Sequence, residues 1–279
     1  MKKKLQNMSR AESTGIILLM AAFAAFFIYP LLSVAMALFY VVMCVSACFF
    51  PGTNFLGQVI SRGDTGKNDV ALTFDDGPSE FTTLRILDLL DRHDVKATFF
   101  VTGVNAARFP DIISEIIRRG HSIGNHSYSH DPFVMMKSYR TLFREVDEAR
   151  RVLQKMGIDA LAFRPPVGII NPKLPSILKR LELFCVTFSC RARDAGNRRV
   201  KNMAVRILKK VKGDDIILLH DKPPRRGEDD DVLWLEFEKI LKGIVDRGLR
   251  IVPLSELIGK KLMNLDESGV AKINGFSLK

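Results

Sequence analysis

Between Gly15 and Phe50 the chain runs 36 residues without a charged side chain, rich in Leu, Ala, Phe, Val and Met. At 1.5 Å per residue such a run makes a helix of roughly 54 Å, against a bilayer hydrocarbon core of roughly 30 Å. One straight span is too long, and Pro30, near the middle, is where a helix most readily bends or stops. The simplest reading is two helices, about Thr14–Tyr29 and Leu31–Phe50, folded as a transmembrane hairpin. A single tilted span with a buried extension is the alternative. A cleaved signal peptide is a third reading, but its apolar region is normally roughly 7–15 residues. Lys2, Lys3 and Lys4 argue for a cytoplasmic N-terminus. Two crossings then return the rest of the chain to the cytoplasmic side, whereas one crossing places it outside.

The whole chain has 279 residues, enough for one sizeable domain beyond the apolar run. The expected division is a basic segment 1–14, a membrane segment 15–50, a linker 51–67, a folded domain 68–260 and a polar tail 261–279. A net charge of +11 favours anionic partners: a membrane surface, nucleic acid or a phosphorylated substrate. Nothing beyond net charge supports nucleic acid, and no partner protein is implied. Four cysteines are too few for a disulfide-built scaffold. Cys44 and Cys48 lie in the apolar run, and Cys185 and Cys190 have no chelating spacing, which fits a reducing compartment.

Beyond Pro51 short β-branched or apolar runs alternate with amphipathic ones. Strands are expected at 69–74, 96–102, 121–125, 161–164, 183–188, 215–219 and 250–253. Helices are expected at 82–93, 111–119, 138–156, 175–181, 200–211 and 231–247. In the third of these, Leu142, Val146, Ala149 and Leu153 form one apolar stripe. Strand–helix alternation at this rhythm predicts an α/β fold with a parallel sheet, open or closed as a barrel. Lys222–Asp231 (KPPRRGEDDD) reads as a loop by composition.

Five polar constellations fall at expected strand ends. Thr73–Pro78 (TFDDGP) sets two carboxylates side by side, which needs a compensating cation if both ionise, although Asp-Gly-Pro is also ordinary turn chemistry. His126–His130 (HSYSH) spaces two of only five histidines so that both imidazoles can face one point. Such a pair is often incidental when it stands alone. Phe163–Gly168 (FRPPVG) fixes an arginine before a rigid turn, Arg193-Asp194 follows a strand, and Leu218–Asp221 (LLHD) ends an apolar strand on a histidine. Each is weak alone, as a surface ion pair, a loop acid or a capped strand. Their shared placement is informative, because functional side chains of strand–helix barrels gather at the carboxyl ends of strands.

In order and approximate spacing these constellations resemble the five motifs of the NodB-type polysaccharide deacetylases (carbohydrate esterase family four), over about residues 68–257. The resemblance implies a deformed (β/α) barrel of about seven strands, following the helical hairpin. It implies a divalent metal, most commonly zinc with cobalt, manganese or nickel as alternatives, held by Asp76, His126 and His130. It casts Asp75 as general base, His220 as general acid, and Arg164 with Asp194 as the pair that orients and tunes the base. Val167 and Leu218 fall on the substrate and oxyanion side. The implied reaction removes an N-acetyl group from an amino sugar, leaving acetate and a free amine.

The sequence departs from the family pattern twice. Val167 stands where an aromatic residue is usual, and Ala195 follows Asp194 where tryptophan is usual; the single tryptophan is Trp234. Both changes point to an altered substrate wall. Arg191, Arg193, Arg198 and Arg199, with Lys222, Arg225 and Arg226, put cations near the expected active face, either as solvated loop charge or to meet phosphate and an anionic leaflet. With a membrane segment, the phosphate reading implies a lipid-phosphate-linked N-acylated sugar at a bacterial-type cytoplasmic (inner) membrane. The active domain then lies on the cytoplasmic side, or extracytoplasmically under the alternative topology. The alternatives in function are removal of another acyl group, such as formyl, from a polyprenyl-phosphate-linked sugar, and an inactive glycan-binding membrane protein. The inactive reading predicts a lost base or ligand, and none is lost.

Overall fold

The computed structural model describes residues 8–224 and 230–266. The charge-free run forms helices α1 (Arg10–Phe26) and α2 (Pro30–Phe49), packed on each other. Pro30 begins α2, a position where its missing N–H costs nothing. Helix α1 starts before the expected Thr14 because Ser9 and Glu12 form a capping box, with Glu12 N donating to Ser9 Oγ at 3.1 Å and Ser9 N to Glu12 Oε2 at 2.7 Å. Among the described residues only α2 is long and apolar enough to cross a membrane, by length and composition. The 17-residue α1 carries Arg10 and Glu12 in its first turn. Large apolar side chains project from both helices, with Phe23 68% and Leu31 86% exposed.

The other end of this helical pair is docked. Ala11 and Ala47 are buried in one apolar cluster with Leu56, Val59, Ile170 and Leu174. Ala11 N donates to Phe55 O at 2.9 Å, and Ile170 N to Cys48 O at 3.0 Å. Small residues at the contact let backbones approach closely enough for these bonds.

The main sheet comprises β1 (Val59–Ile60), β2 (Asp69–Asp75), β3 (Thr98–Val101), β4 (Ser122–Asn125), β6 (Ala162–Phe163), β7 (Phe184–Val186), β8 (Cys190–Arg191), β9 (Ile216–His220) and β10 (Arg250–Ile251). Its order is β1-β7-β6-β4-β3-β2-β9-β8 with β10 also on β2, and every pairing is parallel. β1 and β8 end the path, and a bridge between Arg62 and Asp215 links the segment after β1 to the start of β9. The seven expected strands are all present, and β1 and β8 are additional edges of two residues each, too short to show a period. Strands β5 (Ile158–Ala160) and β11 (Met263–Leu265) form a separate antiparallel pair.

Every residue of β2 is buried, as befits a strand with neighbours on both edges and cover on both faces. Helices α3 (Thr83–Arg92), α5 (Pro110–Arg118), α6 (Tyr139–Lys155) and α9 (Asp230–Asp246) cover the sheet, and α6 buries the expected stripe of Leu142, Val146, Ala149 and Leu153. Helix α4 (Gly103–Arg108), α7 (Leu174–Arg180), α8 (Met203–Leu208) and α10 (Leu254–Ile258) are shorter connections. The stretch read as a linker contributes buried Leu56 and Val59, and the stretch read as a tail contributes buried Leu262 and strand β11. Isolated apolar residues in polar runs supply these contacts, so composition hides them. Of the loop read at Lys222–Asp231, residues 225–229 lie outside the described residues, and α9 already begins at Asp230.

Candidate active site

The parallel strands deliver their last residues to one cleft of about 520 Å³ lined by Asp75, Asp76, His126, His130, Val167, Asp194, Leu218 and His220. The carboxyl end of β2 supplies the first two. Asp75 ends the strand and Asp76 adopts a left-handed φ of 76°; both carboxylates reach the one cleft, each 3.6 Å from His126 Nε2. Asn105 Nδ2 donates to Asp76 O at 2.8 Å and fixes that turn.

The histidines come from the segment after β4. Ser127 and His130 both have positive φ, of 64° and 54°. Asn125 Oδ1 accepts from Ser127 N at 2.9 Å, and Ser127 Oγ accepts from His130 N at 3.2 Å. This curled loop sets the two rings 4.9 Å apart. One ligand atom from each of Asp76, His126 and His130 lies within 4.8 Å of the others, so these three could hold a metal ion. His130 Nε2 is 2.9 Å and His126 Nε2 3.6 Å from Asp76 Oδ1.

The donor set fits a divalent cation. Asp76 Oδ1 is buried and has no hydrogen-bond partner. His126 Nδ1 lies 2.8 Å from Arg164 O, which can only accept, so Nδ1 carries a proton and Nε2 is the ring atom turned toward Asp76. Burial pushes the Asp76 carboxyl upward, yet the two imidazoles hold it well below the usual carboxylate range. Its other oxygen, Oδ2, meets Lys222 Nζ at 3.1 Å.

Arg164, fully buried, explains how Asp75 stays in the interior. Its Nη1 donates to Asp75 Oδ1 and to Thr73 Oγ1, each at 2.7 Å, and its Nη2 to Thr187 O at 2.9 Å. The guanidinium also lies over the Phe100 ring, 4.0 Å from its centroid. A buried guanidinium persists only when its donors are met, as Asp75, Thr73, Thr187 and Val186 meet those of Arg164 here.

His220 ends β9, where it is the register partner of Asp75. His220 Nδ1 is 2.7 Å from Asp194 Oδ2. Burial works to lower the His220 pKa, but the Asp194 carboxylate outweighs it and raises the pKa above the ordinary histidine value. The motif resemblance grouped Asp194 with Arg164 around Asp75. The structure separates them, because β8 and the following turn bring Asp194 to the imidazole, while Arg164 alone bonds Asp75.

Val167 sits in a tight turn at a φ of 55° and is half exposed on the rim, whereas Leu218 is buried in the cleft floor opposite Thr73. Ala195 and Gly196 line the wall where the family pattern has an aromatic, and Trp234 lies away on α9, under Arg85. Arg191, Arg193, Arg198 and Lys222 line the cleft; Arg199 does not, and Arg225 and Arg226 lie outside the described residues.

Sequence reasoning missed two polar supports. Asn197 N donates to Asp194 Oδ2 at 2.8 Å, and its Nδ2 to His220 O at 2.9 Å and Lys222 O at 2.7 Å, tying acid and imidazole together. Asp221 accepts from the Thr82 and Thr83 hydroxyls, each at 2.6 Å, and clamps the turn after Asp76 to the end of β9. An Asn and an Asp in loops carry no spacing signal of their own.

A parallel α/β half-barrel with a two-histidine, one-aspartate cluster at its strand ends defines a class of metal-site hydrolase. A family described as polysaccharide deacetylase matches residues 62–186. The chain is 33% identical over 207 residues to a peptidoglycan-N-acetylglucosamine deacetylase of Bacillus cereus, covering 74% of this chain and 95% of that protein. It is 31% identical to a chitooligosaccharide deacetylase of Sinorhizobium fredii, covering 71% and 96%. A peptidoglycan-N-acetylmuramic acid deacetylase of Bacillus subtilis is 30% identical, with 70% of this chain spanning 39% of that larger protein. The crystal structure of a peptidoglycan N-acetylglucosamine deacetylase with an N-oxidanyl-benzamide superposes with a TM-score of 0.65 at 30% identity, covering 73% of this chain and 94% of that one. The chain belongs to the polysaccharide deacetylase family.

Proposed function

We propose that the protein is a metal-dependent N-deacetylase acting on an N-acetylated amino sugar at a membrane surface. The observation that carries this reading is the convergence of Asp76, His126 and His130 beside an Arg164-held Asp75 and an Asp194-held His220. Asp76, His126 and His130 are the ligands. Zinc suits this set, with cobalt, manganese or nickel as alternatives. When bound, the ion supplies Lewis-acid chemistry, acidifying water and polarising the amide carbonyl.

Asp75 is the general base and takes the proton from the attacking water. Arg164 bonds Asp75 Oδ1 and fixes the carboxylate's direction, leaving Oδ2 toward the cleft, 3.6 Å from His126 Nε2. Val167, on the cleft rim, is assigned to offer its backbone N–H to the developing oxyanion, and Leu218, in the cleft lining, to form the floor beneath the acyl group. His220 donates the proton to the departing nitrogen from Nε2, and Asp194 raises the pKa of that imidazole and orients it through Nδ1. Water and amide thus become a carboxylate and an amine.

The helical pair is proposed to enter the bilayer as a hairpin, which places the N-terminus and the catalytic domain, about 68–260, on the same side. Lys2–Lys4 assign that side to the cytoplasm of a bacterial-type inner membrane. Incubating the detergent-purified full chain, loaded with zinc, with chitotetraose tests the reaction. Stoichiometric release of acetate and free amine is expected. Release of neither from any N-acetylated saccharide would overturn the reading.

A further inference from the structure

A second hollow, of about 680 Å³, adjoins the catalytic cleft and has a different character. One end is formed by Phe49 and Phe50, where α2 leaves its apolar run; Ile169 and Phe188 continue its wall. It shares Val167, Gly168, Phe188 and Arg191 with the catalytic cleft, so the two hollows adjoin across these four residues. Gly168 is required at the junction. Its φ is 71°, and a Cβ there would sit 2.9 Å from the Phe188 ring. A larger residue would push Phe188 across the passage.

The junction is cationic. The Arg191 guanidinium lies 5.5 Å from the centroid of the Phe188 ring, and Arg193 and Arg198 line the cleft beside it. Among the described residues none of these three has a carboxylate partner. The cleft's acids are already engaged: Asp75 by Arg164, Asp194 by His220, and Asp76 by the imidazoles and Lys222. Together the two hollows make a trough that runs from the proposed acyl chemistry, past the Arg191 guanidinium, to Phe49 and Phe50 at the end of α2, with Thr53, Ser61, Thr187 and Ser189 also in its lining.

We propose that this trough binds the phosphate and first lipid units of an amino sugar linked through phosphate to a lipid. The sugar occupies the cleft, the phosphate meets Arg191, and the lipid lies along Phe188, Ile169, Phe50 and Phe49 toward the bilayer. Arginine matches phosphate by its forked donors, and apolar burial favours the chain. A soluble oligosaccharide leaves both features unused. The proposal rests on the deacetylase reading of the cleft, and it names the substrate class of that site.

The test uses the zinc-loaded full chain in detergent with three substrates: farnesyl-phosphate-linked N-acetylglucosamine, N-acetylglucosamine 1-phosphate and chitotetraose. The lipid-linked substrate is expected to show a kcat/KM at least about tenfold above both others. Arg191→Ala is expected to cut the lipid-linked to chitotetraose ratio about tenfold. Phe50→Ser is expected to cut the lipid-linked to sugar-phosphate ratio about fivefold. Sugar-free farnesyl monophosphate supplies a readout independent of turnover, with Kd weakened about tenfold by Arg191→Ala. Both positions are exposed, and thermal unfolding checks that the variants fold. Preference for chitotetraose, or a Kd and ratios that the variants leave within about twofold, overturns the trough assignment while the deacetylase reading stands. Farnesyl phosphate binding as expected without amine release from any substrate overturns the deacetylase reading and leaves the trough as a lipid-phosphate site.

Discussion

Asp75 and His220 are register partners on adjacent parallel strands, so one backbone ladder sets the proposed base and acid side by side in the same cleft. Each has its own buried partner, Arg164 for Asp75 and Asp194 for His220. The two proton-transfer groups therefore have different nearest partners, and substitutions of the two partners are expected to have separable effects.

Replacing Asp194 acts on the acid. His220 donates a proton only below its pKa, which Asp194 raises against the lowering effect of burial. In Asp194→Asn the main opposition to burial is lost and only the Asp76 and Asp75 charges still raise the pKa, so the alkaline limb of the kcat/KM profile moves to lower pH and kcat falls roughly 100-fold or more. Metal content is unchanged. A pH–rate series read against metal analysis checks this; an unmoved alkaline limb contradicts the assignment of His220.

Replacing Arg164 acts on the base and on the core. Arg164→Met strands the buried Asp75 carboxylate and is expected to cost about 3–5 kcal/mol of stability. Adding Asp75→Asn to that variant removes the stranded charge and recovers part of the loss. Denaturant unfolding of the two single variants and the double variant measures the coupling. Simple additivity would show that the pair does not interact as described.

Asp221 links stability to pH. Burial pushes its carboxyl up to about 7, with Asp76 adding to the rise and the Thr82 and Thr83 hydroxyls opposing it. Unfolded, the group returns to its ordinary value of 3.8. Between these values the folded chain holds a proton that the unfolded chain has lost, so this group's contribution falls as pH rises, by at most about 1.4 kcal/mol per unit. Asp221→Asn should flatten that part of the stability–pH curve. Equal slopes for the two proteins would remove Asp221 from the account.

The proposed hairpin makes a topological prediction. A green fluorescent reporter at the C-terminus should fluoresce, and an alkaline phosphatase reporter there should be inactive. The reverse pattern would mean a single crossing and an extracytoplasmic active domain.

How much was legible in advance follows from which signals are local. Asp69–Asp75 and Ile216–His220 announced themselves as apolar runs ending in polar residues, because a central parallel strand must be apolar until it reaches the cleft. The metal-site histidines were legible by spacing, although the left-handed turns at Ser127 and His130 that aim them were not. Cys190–Arg191 and Val59–Ile60 are edges of two residues, which no periodicity can show. The partnership of Asp194 with His220 depends on how β8 lies against β9, a contact between residues 26 apart. Asn197 and Asp221 act through backbone and hydroxyl contacts made only once the fold has formed.

Metal content and amine release, measured together on Asp75→Asn, test the central claim most directly. The zinc-loaded variant should retain metal as the parent does, since Asp76, His126 and His130 are intact. Its amine release from an N-acetylhexosamine substrate should fall about 100- to 10,000-fold. The parent, stripped by a chelator, should lose release and regain it when zinc is restored. Undiminished turnover in Asp75→Asn, or in the stripped parent, would contradict a metal-dependent deacetylase with Asp75 as its base.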